Sequence, residues 1–166
     1  MSNDQQVRVR PVTQADLAAV QEVLVATWHA TYDAILGREQ VDAITTAWRS
    51  IEALERQRAA EEYYFVVAEI DGRLVATASA RPGSDGRVTL KRLYVLPEAQ
   101  GRGIGRRLLA ATLASFPQAR AVRLEVEQRN VRAIAFYERA GFRVVGEGDH
   151  CGGFRIRHVV MEKPLA

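Results

Sequence analysis

Hydrophobic residues recur at helical spacing in the first third of the chain. Residues 7–12 form a short β-branched stretch, Thr13 then stands where a helix N-cap would, and Asp16 follows at the third helical position. Two stripes of apolar residues come next: Leu17, Val20, Leu24 and Trp28, then Val41, Ile44, Trp48 and Ile51. The pattern predicts one strand and two amphipathic helices, with a break near Gly37.

The middle of the chain has the composition of β-strands. Residues 63–70 are β-branched and aromatic, Asp71-Gly72 is a strong hairpin signal, and residues 74–80 continue as a strand. A second turn at residues 82–86 leads into a third strand, residues 88–96. We expect these strands to form an antiparallel meander.

A strand, turn, helix and strand follow one another around Pro97. The helix carries Leu108, Leu109, Leu113 and Phe116 and ends at Pro117, and residues 122–127 then alternate as a strand, with Arg123, Glu125 and Glu127 on one charged face. Such a crossover makes its two strands parallel if they share a sheet. Asn130 caps another helix, which ends at Gly141, and strands at residues 142–145 and 154–161 complete the chain.

These elements predict an α+β fold with three layers. We expect a mixed, mostly antiparallel sheet of about seven strands with one parallel crossover pair, flanked by about four helices. With 166 residues, 48% of them hydrophobic, the chain has the usual size of one domain, residues 1–166.

Composition excludes several classes of protein. A net charge of +3, with acidic and basic residues interspersed, favours an anionic small molecule over nucleic acid as the partner. No stretch approaches the roughly 18 apolar residues of a membrane span. The single cysteine, Cys151, fits a reducing compartment, so we expect a cytoplasmic protein. The histidines His29, His150 and His158 have no metal-ligand spacing, and we expect no metal.

The segment Gln100-Gly101-Arg102-Gly103-Ile104-Gly105-Arg106 is suited to binding an anion. Glycines let the backbone approach a ligand closely, and the first turn of the following helix offers amides without an intrahelical acceptor. A nucleotide-triphosphatase loop would need Gly-Lys before Ser or Thr, and a dinucleotide fingerprint would need glycine at Arg106. Both readings fail, which leaves a pyrophosphate site of another kind or a tight connecting turn.

Two motifs resemble the GNAT superfamily of N-acetyltransferases. The first is Leu93-Tyr94-Val95, Pro97 and the segment from Gln100 to Gly105, which is similar to the acetyl-CoA-binding motif of that family. The second comprises Asn130, Ala133, Phe136-Tyr137 and Gly141-Phe142. The resemblance covers a core of about residues 88–145 and implies the GNAT fold, acetyl-CoA as cosubstrate and transfer of its acetyl group to an amine in a ternary complex.

The resemblance also implies roles for individual residues. Leu93, Tyr94 and Val95 would pair with the pantetheine amides, while the backbone of Gln100, Gly101, Arg102, Gly103, Ile104, Gly105 and Arg106 would hold the pyrophosphate. Asn130 would contact the pantetheine arm near the thioester. Tyr137 would protonate the departing sulfur; its alternative role is core packing beside Phe136.

Glu125 is the best candidate for the general base. It precedes Tyr137 by twelve residues, a separation similar to that of ribosomal-protein N-terminal acetyltransferases. A solvated charged face is an equally good interpretation, and a water network or Glu69 are alternatives. The three histidines are less favourably placed, and packing or surface roles are expected for them and for Cys151.

The acceptor amine is the part of the function that the sequence determines least. By resemblance, Trp28 and Tyr32 lie in the region that binds the acceptor, and the region is similar to small-molecule acetyltransferases, including those of polyamines. Asp33, Glu39 and Asp42 would attract a cation or simply be solvated. We expect a small-molecule primary amine, such as a polyamine or an amino-acid derivative. A protein N-terminus and a non-catalytic acyl-CoA sensor are the alternatives, and a homodimer is compatible with the family.

Overall fold

The computed structural model describes residues 6–165 of the chain. In this part of the chain there are five α-helices and seven strands. The helices are α1 (Leu17–Leu36), α2 (Arg38–Trp48), α3 (Ile51–Ala59), α4 (Ile104–Ala114) and α5 (Val131–Arg139). The strands are β1 (Val7–Pro11), β2 (Tyr64–Ile70), β3 (Arg73–Pro82), β4 (Arg87–Val95), β5 (Ala121–Glu127), β6 (Arg143–Gly148) and β7 (His158–Pro164).

The strands form one mixed sheet in the order β1-β2-β3-β4-β5-β7-β6. β4 and β5 are parallel, with Arg87 opposite Ala121 and Thr89 opposite Arg123. The neighbouring pairs β1–β2, β2–β3, β5–β7 and β6–β7 are antiparallel. The predicted α+β fold, a seven-stranded mixed sheet with a parallel crossover pair, is confirmed.

Packing divides the chain into two compact units. The first contains the residues up to Ala80 together with Arg92–Ser115, and the second contains Arg81–Lys91 and the residues from Phe116 onward. β4 therefore contributes its first half to the second unit and its second half to the first.

In the first unit, β2 is buried on both faces. One face belongs to a cluster that includes Val66, Ala68, Ile70, Ile104 and Leu108. The other belongs to a cluster that includes Phe65, Val67, Leu17, Val20 and Leu54. Successive side chains of a strand point to opposite faces. Helix α4 contributes to the first cluster, α3 contributes to the second, and α1 contributes to both, with Val23 in the first.

The hairpin between β2 and β3 turns at Asp71 and Gly72. Both residues have positive φ, 51° and 80°, as a two-residue turn of the primed type requires. Ile70 and Arg73 pair directly on either side of the turn. The predicted hairpin is confirmed.

An arginine and two carboxylates connect β1, the first helical turn and β2. Asp16 accepts hydrogen bonds from the Thr13 amide (2.7 Å) and from both terminal nitrogens of Arg10 (2.7 and 2.9 Å). Arg10 also donates to Glu69 (3.1 Å). The Arg10 guanidinium holds the pKa of Asp16 well below its usual range. The predicted pairing of Thr13 with Asp16 at a helix start is thus present.

In the second unit, β7 lies between β5 and β6. Leu124 of β5 and Met161 of β7 are directly opposite and almost fully buried. α5 begins at Asn130, whose side-chain oxygen accepts from the Ala133 amide (3.2 Å). It is followed by Gly141, whose φ of 96° permits the change of direction. The predicted cap and end of this helix are confirmed.

Several predicted boundaries were wrong. Ile51 does not continue the stripe of the second helix: α2 ends at Trp48, Ser50 caps α3 by accepting from the Ala53 amide, and Ile51 is 42% exposed. Helix α4 ends at Ala114, before Phe116. The last strand begins at His158 rather than Phe154, because Phe154 is instead bridged to Cys151 in a tight turn.

Candidate active site

The glycine-rich turn connects β4 to α4 in the first unit. Gly101 and Gly103 have φ of 79° and 77°, and no atom lies within 4 Å of where a Cβ would stand on either. Such a backbone favours glycine and leaves room for another molecule to approach. The first amide of α4 with a backbone acceptor is Arg107, which donates to Gly103 (3.0 Å). The amides of Ile104, Gly105 and Arg106 precede it and are thus the unsatisfied donors of a helix N-terminus.

Side chains around the turn have distinct roles. Ile104 is buried and anchors α4 to the core, whereas Arg102 and Arg106 are exposed and add positive charge at the helix start. Gln100 folds back so that its amide nitrogen donates to the carbonyl of Val95 (3.0 Å). The side chain of Gln100, a residue predicted to bind the cofactor, therefore ties the turn to the end of β4.

The pairing of β4 with β5 is short. It extends from Arg87 to Thr89, although β4 continues to Val95. Leu93, Tyr94 and Val95 are partly buried and pack against the core of the first unit.

Tyr137 lies on α5 in the second unit. Its ring is buried and meets Phe136 and Phe142 edge-on, at centroid distances of 5.2 and 5.4 Å. The ring is therefore fixed by packing, which is the property that a positioned acid needs. Packing alone is also compatible with a structural residue.

Glu125, His158 and Cys151 converge in the second unit. Glu125 Oε1 lies 3.8 Å from Nε2 of His158, and the Glu125 side chain is 47% exposed. Nδ1 of the buried His158 donates to the Ile156 carbonyl (3.1 Å), which leaves Nε2 to face the carboxylate. Burial, together with the charge and hydrogen bond of Glu125, raises the pKa of the Cys151 thiol to about 11.

This convergence was not predicted from the sequence. A solvated face shared by Glu125 and Glu127 was one of two interpretations, but Glu127 is 4% exposed and accepts from the backbone amide (2.6 Å) and Nε (3.0 Å) of Arg129. Strand alternation gives the shared face correctly. It does not reveal that the neighbouring β7 and the following turn cover one end of that face.

Aromatic rings and carboxylates meet on α1 and α2. The ring centroid of Trp28 lies 4.4 Å from that of Tyr32 and 5.1 Å from that of Trp48. The imidazole of His29 lies between two carboxylates, with Nδ1 2.7 Å from Asp33 and Nε2 2.9 Å from Asp42. His29 thus contacts both carboxylates rather than solvent alone, and it connects the two helices.

Glu69, an alternative base, is paired with arginines. Besides its contact with Arg10, it lies 3.8 Å from Arg8, and its side chain is 15% exposed. Both guanidiniums are ion-pair partners of the Glu69 carboxylate.

Comparisons with known proteins place the chain in a family. The Acetyltransferase (GNAT) family matches residues 22–142. An uncharacterized N-acetyltransferase of Mycobacterium bovis is 37% identical over 108 residues, or 64% of this chain and 67% of the relative. The spermine/spermidine N(1)-acetyltransferase of Bacillus subtilis is 35% identical over 71 residues, or 41% of this chain and 47% of the relative.

A solved structure extends the similarity to nearly the whole chain. The PaiA N-acetyltransferase of Thermoplasma acidophilum, crystallised in complex with coenzyme A, superposes with a TM-score of 0.85 and 25% sequence identity. The match covers 96% of this chain and 99% of the other. Among residues 6–165, no helix has the length and apolarity needed to cross a bilayer. The chain belongs to the GNAT family of acetyltransferases.

Proposed function

We propose that residues 1–166 act as one N-acetyltransferase domain. The domain would transfer the acetyl group of acetyl-CoA to a primary amine of a small molecule, such as a polyamine or an amino-acid derivative. The observation that carries the proposal is the open, glycine-rich start of α4, together with family membership over residues 22–142. The spermine/spermidine relative and the coenzyme A complex of the structural neighbour support the substrate class and the cosubstrate.

The first unit contains the groups suited to the nucleotide end of acetyl-CoA. Amides from Gly101 to Arg106 and the positive end of α4 match a pyrophosphate, and Arg102 and Arg106 are exposed beside them. The peptide groups of Leu93, Tyr94 and Val95 would pair with the pantetheine amides. In the second unit, Asn130 would contact the pantetheine arm; its side-chain oxygen already caps α5.

Acetyl-CoA supplies the acetyl group when bound, and the chain must then manage two protons. The acceptor amine must first lose its proton, because an alkylammonium has a pKa near ~10. Glu125, alone or through water, would take that proton. As the amine nitrogen bonds to the carbonyl carbon and the carbon–sulfur bond breaks, the hydroxyl of Tyr137 would donate a proton to the sulfur, and the second proton released by the nitrogen would return through solvent to the Tyr137 oxygen. The products are the N-acetylated amine and the free thiol of coenzyme A.

Neighbouring groups favour Glu125 over Glu69 as the base. Glu69 is held by Arg8 and Arg10 and its side chain is 15% exposed, whereas the Glu125 side chain is 47% exposed and faces Nε2 of His158 at 3.8 Å. Glu125 and Tyr137 are the catalytic residues of the proposal, and Trp28 and Tyr32 would contact the acceptor.

The proposal is tested by release of free coenzyme A thiol from acetyl-CoA. The amines to be compared are polyamines, amino acids, aminoglycosides and short peptides with free N-termini. We expect turnover on small amines. Turnover confined to peptides would establish the protein N-terminal alternative, and tight acetyl-CoA binding without turnover on any amine would establish the non-catalytic sensor.

The location and the assembly of the protein are separate proposals. We propose a cytoplasmic protein, because a single cysteine, Cys151, fits a reducing compartment. A homodimer would be compatible with the family, and light scattering on the purified chain would measure it.

A further inference from the structure

Arg92 on β4 is a buried cation without a carboxylate partner. Its Nη2 donates to the side-chain oxygen of Gln57 on α3, and its guanidinium carbon lies 5.3 Å from the centre of the Phe65 ring. Its Nη1 is buried and has no hydrogen-bond partner. Among the residues that the structure describes, no Asp or Glu forms an ion pair with Arg92. The charge of Arg92 is compensated by the neutral amide of Gln57 and by the aromatic face of Phe65.

Other partly buried arginines of the chain have carboxylate partners. Arg10 is paired with Asp16 and Glu69, and Arg87 is paired with Asp85 and Glu162. Arg92 is thus an exception in a chain that otherwise neutralises its partly buried arginines.

A buried guanidinium with an unpaired donor is costly to fold. Burial lowers the pKa of Arg92 from its ordinary value, and Tyr94 and Tyr63 offset part of that effect. A cation that is buried but not neutralised raises the free energy of the folded protein unless an anion joins it. A hydrophobic residue could fill the same space without that cost, so stability gives no reason for an arginine here.

A second unpaired polar group lies on the same face of the sheet. Ser79 of β3 is fully buried, and its hydroxyl has no hydrogen-bond partner. Ser79 is directly opposite Phe65 in the β2–β3 pair, so the two side chains share a face, and Arg92 lies over the Phe65 ring. Two side chains with an unpaired donor, Ser79 and Arg92, therefore both neighbour Phe65.

The position of Arg92 along β4 connects it with the proposed reaction. It directly precedes Leu93, Tyr94 and Val95, and it shares a strand face with Tyr94. The residue as a whole is half-buried, although its Nη1 is buried. A ligand would reach this guanidinium beside the end of β4.

We propose that Arg92 binds the carboxylate of the acceptor, so that the substrate is an amine that also carries a carboxylate. A guanidinium matches a carboxylate with two parallel hydrogen bonds, a geometry that lysine cannot provide. Within the substrates considered above, this selects amino-acid derivatives over polyamines. The inference rests on the proposed acetyltransferase function.

The test compares acceptors that differ only by a carboxylate. Ornithine is paired with putrescine, and lysine with cadaverine, and kcat and KM are measured for each with saturating acetyl-CoA. For the unaltered protein we expect kcat/KM to favour the amino acid of each pair. For Arg92→Gln we expect the KM of the amino acid to rise about 10- to 100-fold, as for loss of a hydrogen bond to a charged group, with kcat little changed. The KM of the diamine should stay the same or fall.

Two further variants separate charge from geometry and from general damage. Arg92→Lys keeps the charge but loses the paired donors, so it should restore only part of the amino-acid preference. Arg73→Gln removes an exposed arginine from the adjacent strand β3, where its partner is Glu98, and should leave both acceptors unaffected. Thermal unfolding of each variant establishes whether it is folded.

Two results would overturn the inference. One is a preference of the unaltered protein for the diamines; the other is an equal loss of activity on both acceptors of a pair in folded Arg92→Gln. If no amine is acetylated at all, the proposed function is wrong. Direct binding of ornithine then tests whether Arg92 forms an anion-binding site. Ornithine should raise the melting temperature of the unaltered protein but not of Arg92→Gln, and equal effects would contradict the site.

Discussion

Tyr137 is fixed by two phenylalanines, so its hydroxyl can be removed without disturbing the ring. In Tyr137→Phe the edge contacts with Phe136 and Phe142 remain, while the proposed proton donor is lost. We expect kcat to fall about 100-fold or more, the usual contribution of a positioned acid, with the Kd of acetyl-CoA nearly unchanged. Steady-state kinetics and calorimetric titration measure the two quantities.

A matched tyrosine shows whether that effect is specific. Tyr64→Phe removes a hydroxyl from β2 in the first unit, where the side chain packs against the core. It should leave kcat unchanged. Equal turnover in Tyr137→Phe and the unaltered protein would remove Tyr137 as the acid.

The reactivity of the Cys151 thiol depends on the charge of Glu125, because that charge raises the pKa of the thiol. With its pKa raised to about 11, the thiol is the dominant form at neutral pH, and the reactive thiolate is a fraction on the order of 10⁻⁴. Alkylation by iodoacetamide should therefore be slow at pH 7 and accelerate about tenfold per pH unit until the pH approaches the pKa. Glu125→Gln removes a negative charge that raises the pKa, so the pKa should fall and alkylation at pH 8 should accelerate.

The control for this prediction lies on β6. Glu147→Gln removes an exposed carboxylate of the second unit and should leave the alkylation rate as it was. Identical rates in Glu125→Gln and Glu147→Gln would mean that Glu125 does not influence the thiol in solution.

At the scale of elements, the turn before α4 combines a left-handed backbone with open space. Gly103 has φ 77° and ψ 9° as the N-cap of α4. An aspartate there meets no protein atom at its Cβ, but it adds strain of about 1–2 kcal/mol and a negative charge beside the proposed pyrophosphate site. We expect Gly103→Asp to weaken acetyl-CoA binding at least tenfold, which isothermal titration would measure.

Gly72→Asp is the matched control. Gly72 has a similar φ of 80° and equally open surroundings, but it lies in the turn between β2 and β3. The same strain and charge at that position should lower the melting temperature without changing the Kd of acetyl-CoA. Normal binding by Gly103→Asp would contradict the pyrophosphate site.

Elements with a strong local signal were predicted well. The Asp71-Gly72 turn, the Asn130 cap and the break at Gly37, whose φ is 87°, each depend on a few neighbouring residues. The end of α2 and the start of α3 were missed, because a single helical periodicity continues through Trp48 to Ile51. The decisive interaction there is the Ser50 cap.

For the whole molecule, binding of coenzyme A should appear as thermal stabilisation. A ligand at 100 times its Kd adds about 2.7 kcal/mol to the free energy of unfolding, which corresponds to a rise of roughly 5–10 °C in Tm for a chain of this size. Pantetheine, which lacks the phosphates, should produce a smaller rise at the same concentration. Differential scanning fluorimetry measures both, and equal shifts for the two ligands would contradict binding through the diphosphate.

Local patterns determined the family, the order of elements and the anion-binding turn, because each depends on residues adjacent in the chain. The spacing of glycines, the strand before them and the cap at Asn130 are visible without a fold. Tertiary structure decided which polar residues are buried and what they meet. The approach of Cys151 and His158 to Glu125, the burial of Glu127 and the unpaired guanidinium of Arg92 depend on strand register and on the packing of distant helices. Periodicity does not encode such contacts, so the residues that would distinguish one acceptor from another emerged only with the fold.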